Sequence, residues 1–129
     1  MPRTVIKTKT APSPVGPYNQ AIVVGDTIYV SGQGPIDPAI GKLNKGTFEE
    51  QATLTLQNIK AILEAAGSSL RDAVKVTVYL ANLEDFDKLN EIYRRFFSEP
   101  YPARATAGAQ LLFDSLIEVD CIAVRGSGA

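Results

Sequence analysis

Apolar and polar positions follow two periods along this chain, and the switches between them mark its elements. Gln20 to Gly25 and Thr27 to Ser31 are short runs rich in Val and Ile. Gly25-Asp26 between them predicts a hairpin, because glycine takes the positive backbone angle that a tight turn needs. Gly32-Gln33-Gly34-Pro35-Ile36-Asp37-Pro38 then reads as a loop leaving a strand end, its prolines lacking an amide hydrogen and fixing the chain direction. Thr47 with Glu50 three residues on makes a capping box, in which each side chain satisfies a free amide at a helix start. In the helix that follows, Ala52, Leu56, Ile59, Leu63 and Ala66 recur at steps of four and three, and Gly67 ends it.

From Ala73 to Ala81 the period becomes two, with Val74, Val76, Val78 and Leu80 on one face and Lys75, Thr77 and Tyr79 on the other. A second helix starts near Asn82, with Asp85 in its first turn. It turns Phe86, Leu89, Tyr93, Phe96 and Phe97 inward until Pro100 and Pro102 stop it. Two strands follow, Ala103 to Ala109 and Leu116 to Val124. In the last, Glu118 and Asp120 share one face while Ile117, Val119, Cys121 and Ala123 share the other.

This order predicts an α+β fold over 1–129 as a single domain, a mixed β-sheet with both helices packed on one face. The other face is left uncovered. Lys75, Thr77, Tyr79, Glu118 and Asp120 fall on it, and a sheet face of that mixed character is most simply explained by burial against further copies of the chain. Oligomerisation is the expectation at this point.

Composition narrows the chemistry. The 129 residues carry 13 Lys plus Arg against 14 Asp plus Glu, no His, one Cys and no Trp. A chain of this length buries roughly two-thirds of its unfolded surface, enough for one core without staples. The absence of histidine and the single Cys121 remove His-based triads, an intrachain disulfide and most transition-metal sites, since their ligands and bases are missing. Acid–base work falls to carboxylates, Tyr or water. A formal charge of -1 and a pI near 5.4 give no chain-wide attraction to phosphate backbones, so nucleic acid is not an expected partner. Residues 1–20 lack the apolar core of a signal peptide and no stretch reaches the roughly 18 apolar residues of a membrane span, so a cytoplasmic location is expected. The lone thiol suits a reducing compartment.

Across nearly its whole length the chain resembles the reactive intermediate deaminase A (RidA, or YjgF) family. The resemblance rests on ordered landmarks: Gly16-Pro17-Tyr18-Asn19-Gln20-Ala21, Val30-Ser31-Gly32-Gln33-Gly34-Pro35, Gln57-Asn58-Ile59-Lys60-Ala61-Ile62-Leu63-Glu64-Ala65-Ala66-Gly67 and Lys75-Val76-Thr77-Val78-Tyr79-Leu80. Asn90-Glu91-Ile92-Tyr93, Pro102-Ala103-Arg104 and Ile117-Glu118-Val119 complete it. It implies a chorismate-mutase-like protomer in a homotrimer with its sheets facing inward, ligand pockets between subunits and no cofactor or metal. The implied activity is hydrolysis of 2-imino acids, 2-iminobutanoate and 2-iminopropanoate, or of their enamines, to 2-keto acids and ammonia.

Such a substrate sets a carboxylate beside an electrophilic C=N carbon. Arg104 suits the carboxylate, because a guanidinium offers two parallel hydrogen bonds and stays protonated, and the resemblance gives it that role. Glu118 projects from the face opposite Ile117 and Val119, and by resemblance orients or activates water; the competing reading makes it an intersubunit ion-pair partner. Asp120 is given no catalytic role. Tyr18 offers a phenol for water or product, or a ring to fill the core. Ser31 and Gly32 end a strand where amides and a hydroxyl can meet an anion. The Gly32-x-Gly34 pair has no third glycine and no helix directly after it, so it is no dinucleotide fingerprint. Asn90 matches a family substrate-binding position, although a hydrogen bond between elements is the stronger reading.

The chain departs from the family pattern after Arg104. There Ala105-Thr106-Ala107-Gly108-Ala109 predicts a smaller or looser pocket wall, with Thr106 at a substrate-binding position often held by Cys. Gln110 to Leu116 lacks a Leu-Pro turn and is about one residue shorter. Cys121 is expected to pack in the core. Arg94-Arg95 reads as a solvated helix face. The alternative to a deaminase is a module that binds small carboxylates or keto acids in the same pocket without turnover. A nuclease reading finds neither a basic balance nor a metal cluster to support it.

Overall fold

The computed structural model describes all residues, 1–129. Eight strands and two helices follow in the order β1 (Arg3–Ile6), β2 (Ala21–Val24), β3 (Thr27–Gln33), β4 (Ile36–Asp37), β5 (Lys42–Leu43), α1 (Phe48–Ala65), β6 (Ala73–Leu80), α2 (Phe86–Phe96), β7 (Ala103–Gly108) and β8 (Ile117–Val124). Six strands form one sheet in the order β1-β2-β3-β8-β6-β7, and β4 and β5 make a separate hairpin. Only β6 and β7 run parallel, because α2 carries the chain back between them; every other neighbour is antiparallel. The fold is α+β with a mixed sheet.

Local signals explain α1. The capping box forms as the spacing predicts: the Glu50 amide donates to Thr47 Oγ1 at 3.2 Å and the Thr47 amide to Glu50 Oε1 at 3.0 Å. At the other end Gly67 takes φ +74°, and the Ser68 amide reaches the Leu63 carbonyl at 2.9 Å. Leu56, Ile59, Ile62 and Leu63 of α1 are fully buried with Val76, Val78 and Leu80 of β6 and Ile117 and Val119 of β8 in one core of 24 residues. The predicted stripe therefore does pack on the sheet. Cys121, 2% exposed, belongs to that core, and burial pushes its thiol up to about 12, so it stays a protonated packing group. No helix is long and apolar enough to cross a membrane.

Several expectations need correction. Residues Arg3–Ile6 form an unexpected edge strand paired with β2, and the segment after it is tied down by Gln20. That residue leads into β2 rather than starting it, and its buried amide group donates to the carbonyls of Thr8, Ala11 and Pro12. β3 runs on through Gly32 to Gln33, and the expected loop contains the β4–β5 hairpin, pinned by Asn58 Nδ2 donating to the Gly34 and Ile36 carbonyls. Val74 is not on the core face: the β6–β8 register shifts between Ala73 and Lys75, so Ala73 is buried and Val74 turns out to solvent. Asn82 does not cap a helix. A short 3₁₀ turn, Leu83–Asp85, intervenes, neither Asn82 nor Asp85 makes a side-chain cap, and Phe86 at the start of α2 is left 41% exposed instead of inward.

Candidate functional site

Paired positions in neighbouring strands lie on the same side of a sheet, so register decides which functional side chains share a face. Val76 pairs with Cys121 on one side and with Arg104 on the other, and Val76 and Cys121 are core residues. Arg104 therefore stands on the helix-covered face, and Thr106, paired with the buried Val78, follows it there. Tyr79 pairs with Glu118 and Thr77 with Asp120 on the opposite, helix-free face. Within the chain the two residues of central chemical interest are on opposite sides of the sheet.

On the helix face, α2 supplies the setting for Arg104. Phe86, Asn90 and Tyr93 are spaced four and three residues apart and so share one side of the helix. Arg104 Nη2 donates to Asn90 Oδ1 at 2.8 Å, the inter-element bond expected of Asn90. The guanidinium carbon lies 4.8 Å from the Tyr93 ring centre and 5.6 Å from that of Phe86, within cation–π range. Stacking and a hydrogen bond together orient a planar cation before any ligand arrives. A depression of about 290 Å³ opens beside it, lined by Asn90, Tyr93, Arg94, Tyr101, Pro102 and Arg104. Neither Phe86 nor Arg94 was singled out for this site from the sequence, although the helical spacing of 86, 90, 93 and 94 places them together. A wider cavity of about 520 Å³, between Leu70, Phe97, Tyr101 and Ser127, contains none of the predicted site residues.

Tyr93 stacks on Phe97 with ring centres 4.4 Å apart, and its hydroxyl is buried without a hydrogen-bond partner. Burial pushes it up to about 12, so the phenol remains protonated at every physiological pH. An unpartnered buried hydroxyl costs stability that phenylalanine does not. Tyr93→Phe is thus expected to raise the unfolding free energy by about 1 kcal/mol, read from urea denaturation midpoints; a loss of similar size would show that the hydroxyl has a partner in solution.

On the opposite face, Glu118 lies over Gly32. A Cβ at Gly32 would fall 2.6 Å from Glu118 Oε2, so any larger residue there makes the Glu118 carboxylate move. The close approach follows from a bulge in β3: Val30 pairs with Cys121 and Gln33 with Val119, leaving Ser31 and Gly32 opposite the single residue Asp120. Burial, and then the neighbouring Asp120 charge, raise the Glu118 carboxyl above the usual carboxylate range; Asp120 is itself raised by burial, partly offset by Thr77 and Lys75. Gly32→Ala meets only the movable end of that carboxylate and no positive-φ strain, so the fold should survive while Glu118 shifts. A kcat reduced by roughly tenfold or more, at an unchanged melting temperature, is the expected result in a turnover assay with a thermal melt alongside.

Ser31 sits beside this group but does not offer its donors to an anion as expected: its hydroxyl donates to the Asn19 carbonyl at 2.5 Å and its amide to the Gln20 carbonyl at 2.9 Å. It ties the Tyr18–Gln20 segment to β3. Tyr18 does not fill the core; it is 45% exposed, and its hydroxyl accepts the Val15 amide at 3.2 Å. No cluster of three or more His, Cys, Asp or Glu side chains is placed to hold a metal.

The family described as endoribonuclease L-PSP matches residues 8–125. A RutC family protein of Pyrococcus abyssi is 53% identical over 97% of this chain and 99% of its own. The human 2-iminobutanoate/2-iminopropanoate deaminase is 45% identical over 96% of this chain and 91% of its own. Among solved structures, RidA from an Antarctic Psychrobacter superposes with a TM-score of 0.90 at 45% identity, covering 94% of this chain and 98% of that one. Escherichia coli TdcF with bound serine also gives 0.90, at 39% identity over 95% of this chain and 99% of its own. Matched in sequence over almost its full length and in fold throughout, the chain belongs to the YjgF/RidA family.

Proposed function

We propose that this protein hydrolyses 2-imino acids such as 2-iminobutanoate and 2-iminopropanoate to 2-keto acids and ammonia. It does so without a cofactor, in a homotrimer whose sites combine Arg104 of one protomer with Glu118 of its neighbour. The observation that carries the reading is the sidedness of the sheet: an oriented guanidinium on one face, and on the other a carboxyl with a raised pKa above a glycine that leaves it room. Neither face is a complete imine site, and juxtaposition of two copies supplies both halves. The helix-free face also presents Ile22, Tyr29 and Ile122 in one paired row, with Tyr29 49% exposed, apolar surface of the kind that association covers. Relatives carrying the deaminase name support the chemistry.

Arg104 takes the substrate carboxylate in two parallel hydrogen bonds, which presents the C=N carbon to water. With the imine nitrogen protonated, Glu118 accepts a proton from the water as its oxygen bonds to that carbon and the C=N π pair moves onto nitrogen, giving a carbinolamine. The same carboxyl returns the proton to nitrogen, the C–N bond breaks with its electron pair leaving on ammonia, and loss of the hydroxyl proton forms the keto group. A raised pKa makes Glu118 a stronger base than a free carboxylate, and its ordinary role is worth roughly 10²–10⁴ in rate.

The test couples threonine dehydratase to the protein and follows keto acid while semicarbazide competes for the imine. A faster keto-acid rise, absent with Arg104→Ala, supports the deaminase. No acceleration from a folded protein would move the reading to carboxylate binding without turnover, which the serine-bound TdcF structure favours as the second possibility.

A further inference from the structure

The sequence treats Arg94 and Arg95 as one solvated pair, and the structure separates them. Arg95 reaches Glu49 at 3.3 Å and Glu91 at 3.7 Å. Arg94 has no acid within ion-pair distance, and it lines the same depression as Arg104. It follows Asn90 by one helical turn, so the side of α2 that holds Arg104 through Asn90 also presents Arg94. The rest of the lining, Asn90, Tyr93, Tyr101 and Pro102, is neutral. Within the chain the recess holds two guanidiniums and no carboxylate, so once Arg104 takes a first negative charge Arg94 is left to attract a second.

We propose that Arg94 is a second anion subsite, and that the ligands this site prefers are 2-imino and 2-keto acids whose side chain carries a carboxylate of its own. Arg104 holds the carboxylate beside the reacting carbon and Arg94 the distal one. This deepens the deaminase reading and rests on its assignment of Arg104.

Calorimetric titration of the folded oligomer with 2-oxobutanoate and with 2-oxoglutarate tests it, on wild type, Arg94→Gln and Arg95→Gln. Wild type should bind the dicarboxylate about tenfold more tightly, the scale of one charge-assisted hydrogen bond near water. The ratio should collapse to near one in Arg94→Gln and persist in Arg95→Gln. Equal affinities in wild type, a ratio that survives Arg94→Gln, or an equal fall in both variants would overturn the subsite. Failure of the two readings is distinguishable: an Arg94-dependent preference without imine turnover removes the deaminase alone, whereas turnover without the preference removes the subsite alone.

Discussion

Arg104→Ala is expected to lower kcat/KM for 2-iminobutanoate by roughly 10²–10³, the worth of two hydrogen bonds between ionised groups. The effect should fall on both binding and turnover, since the carboxylate anchors the carbon that water attacks. Arg104→Lys should recover only a small part: a point charge cannot reproduce the planar fork, nor stack as the guanidinium does at 4.8 Å from the Tyr93 ring centre. Removing the guanidinium also strips Asn90 Oδ1 of its donor, so a thermal melt and a sizing run must accompany the kinetics. Folded Arg104→Ala oligomer within fivefold of wild type would contradict the assigned role.

The second expected result tests where the two halves come from. Glu118→Gln alone should cut kcat by roughly 10²–10⁴. If each site draws Arg104 and Glu118 from different protomers, co-expressing Arg104→Ala chains with Glu118→Gln chains rebuilds intact sites. With random assembly, about a quarter of ordered neighbour pairs carry both native residues, so about a quarter of wild-type activity should return. Activity no higher than the two inactive variants assayed apart would place both residues of a site in one chain, against the sheet's sidedness.

Glu118→Gln carries a stability signature as well. A carboxyl whose folded pKa lies above its ordinary 4.5 contributes stability fully below the unfolded value and loses it as pH rises through the folded one. At pH 7 the charged Glu118 therefore destabilises the fold, beside an Asp120 shifted in the same direction. Glu118→Gln should melt higher than wild type at pH 7, with the gain shrinking toward pH 4. A lower melting temperature at pH 7 would instead mean that the carboxylate is ion-paired in the assembly.

Elements ruled by neighbours in sequence were legible before the structure. The ends of α1 follow from Thr47, Glu50 and Gly67, because capping and the left-handed turn involve residues within one helical turn. The β2–β3 hairpin follows from Gly25, at φ +61°, for the same reason. Val74 failed because a bulge is a property of two strands: alternation within β6 says nothing of the register shift against β8. Arg3–Ile6 failed because an edge strand of four residues owes its existence to β2 and to the buried Gln20 that fastens the segment behind it.

Candidate residues divide in the same way. The sequence alone offered Arg104 and Glu118 as candidates for the chemistry, closed histidine mechanisms to this chain, and turned Glu118 away from Ile117 and Val119. Which face of the sheet Arg104 occupies was decided only by the tertiary structure. Parity along a strand relates residues of that strand, whereas the pairing of Arg104 with Val76, and of Glu118 with Tyr79, is set by how β6 lies between β7 and β8. Separation of Arg94 from Arg95 has the same origin: the sequence presents two adjacent cations, and the packing of α2 against α1 and β7 gives one of them acids and the other a recess beside Arg104.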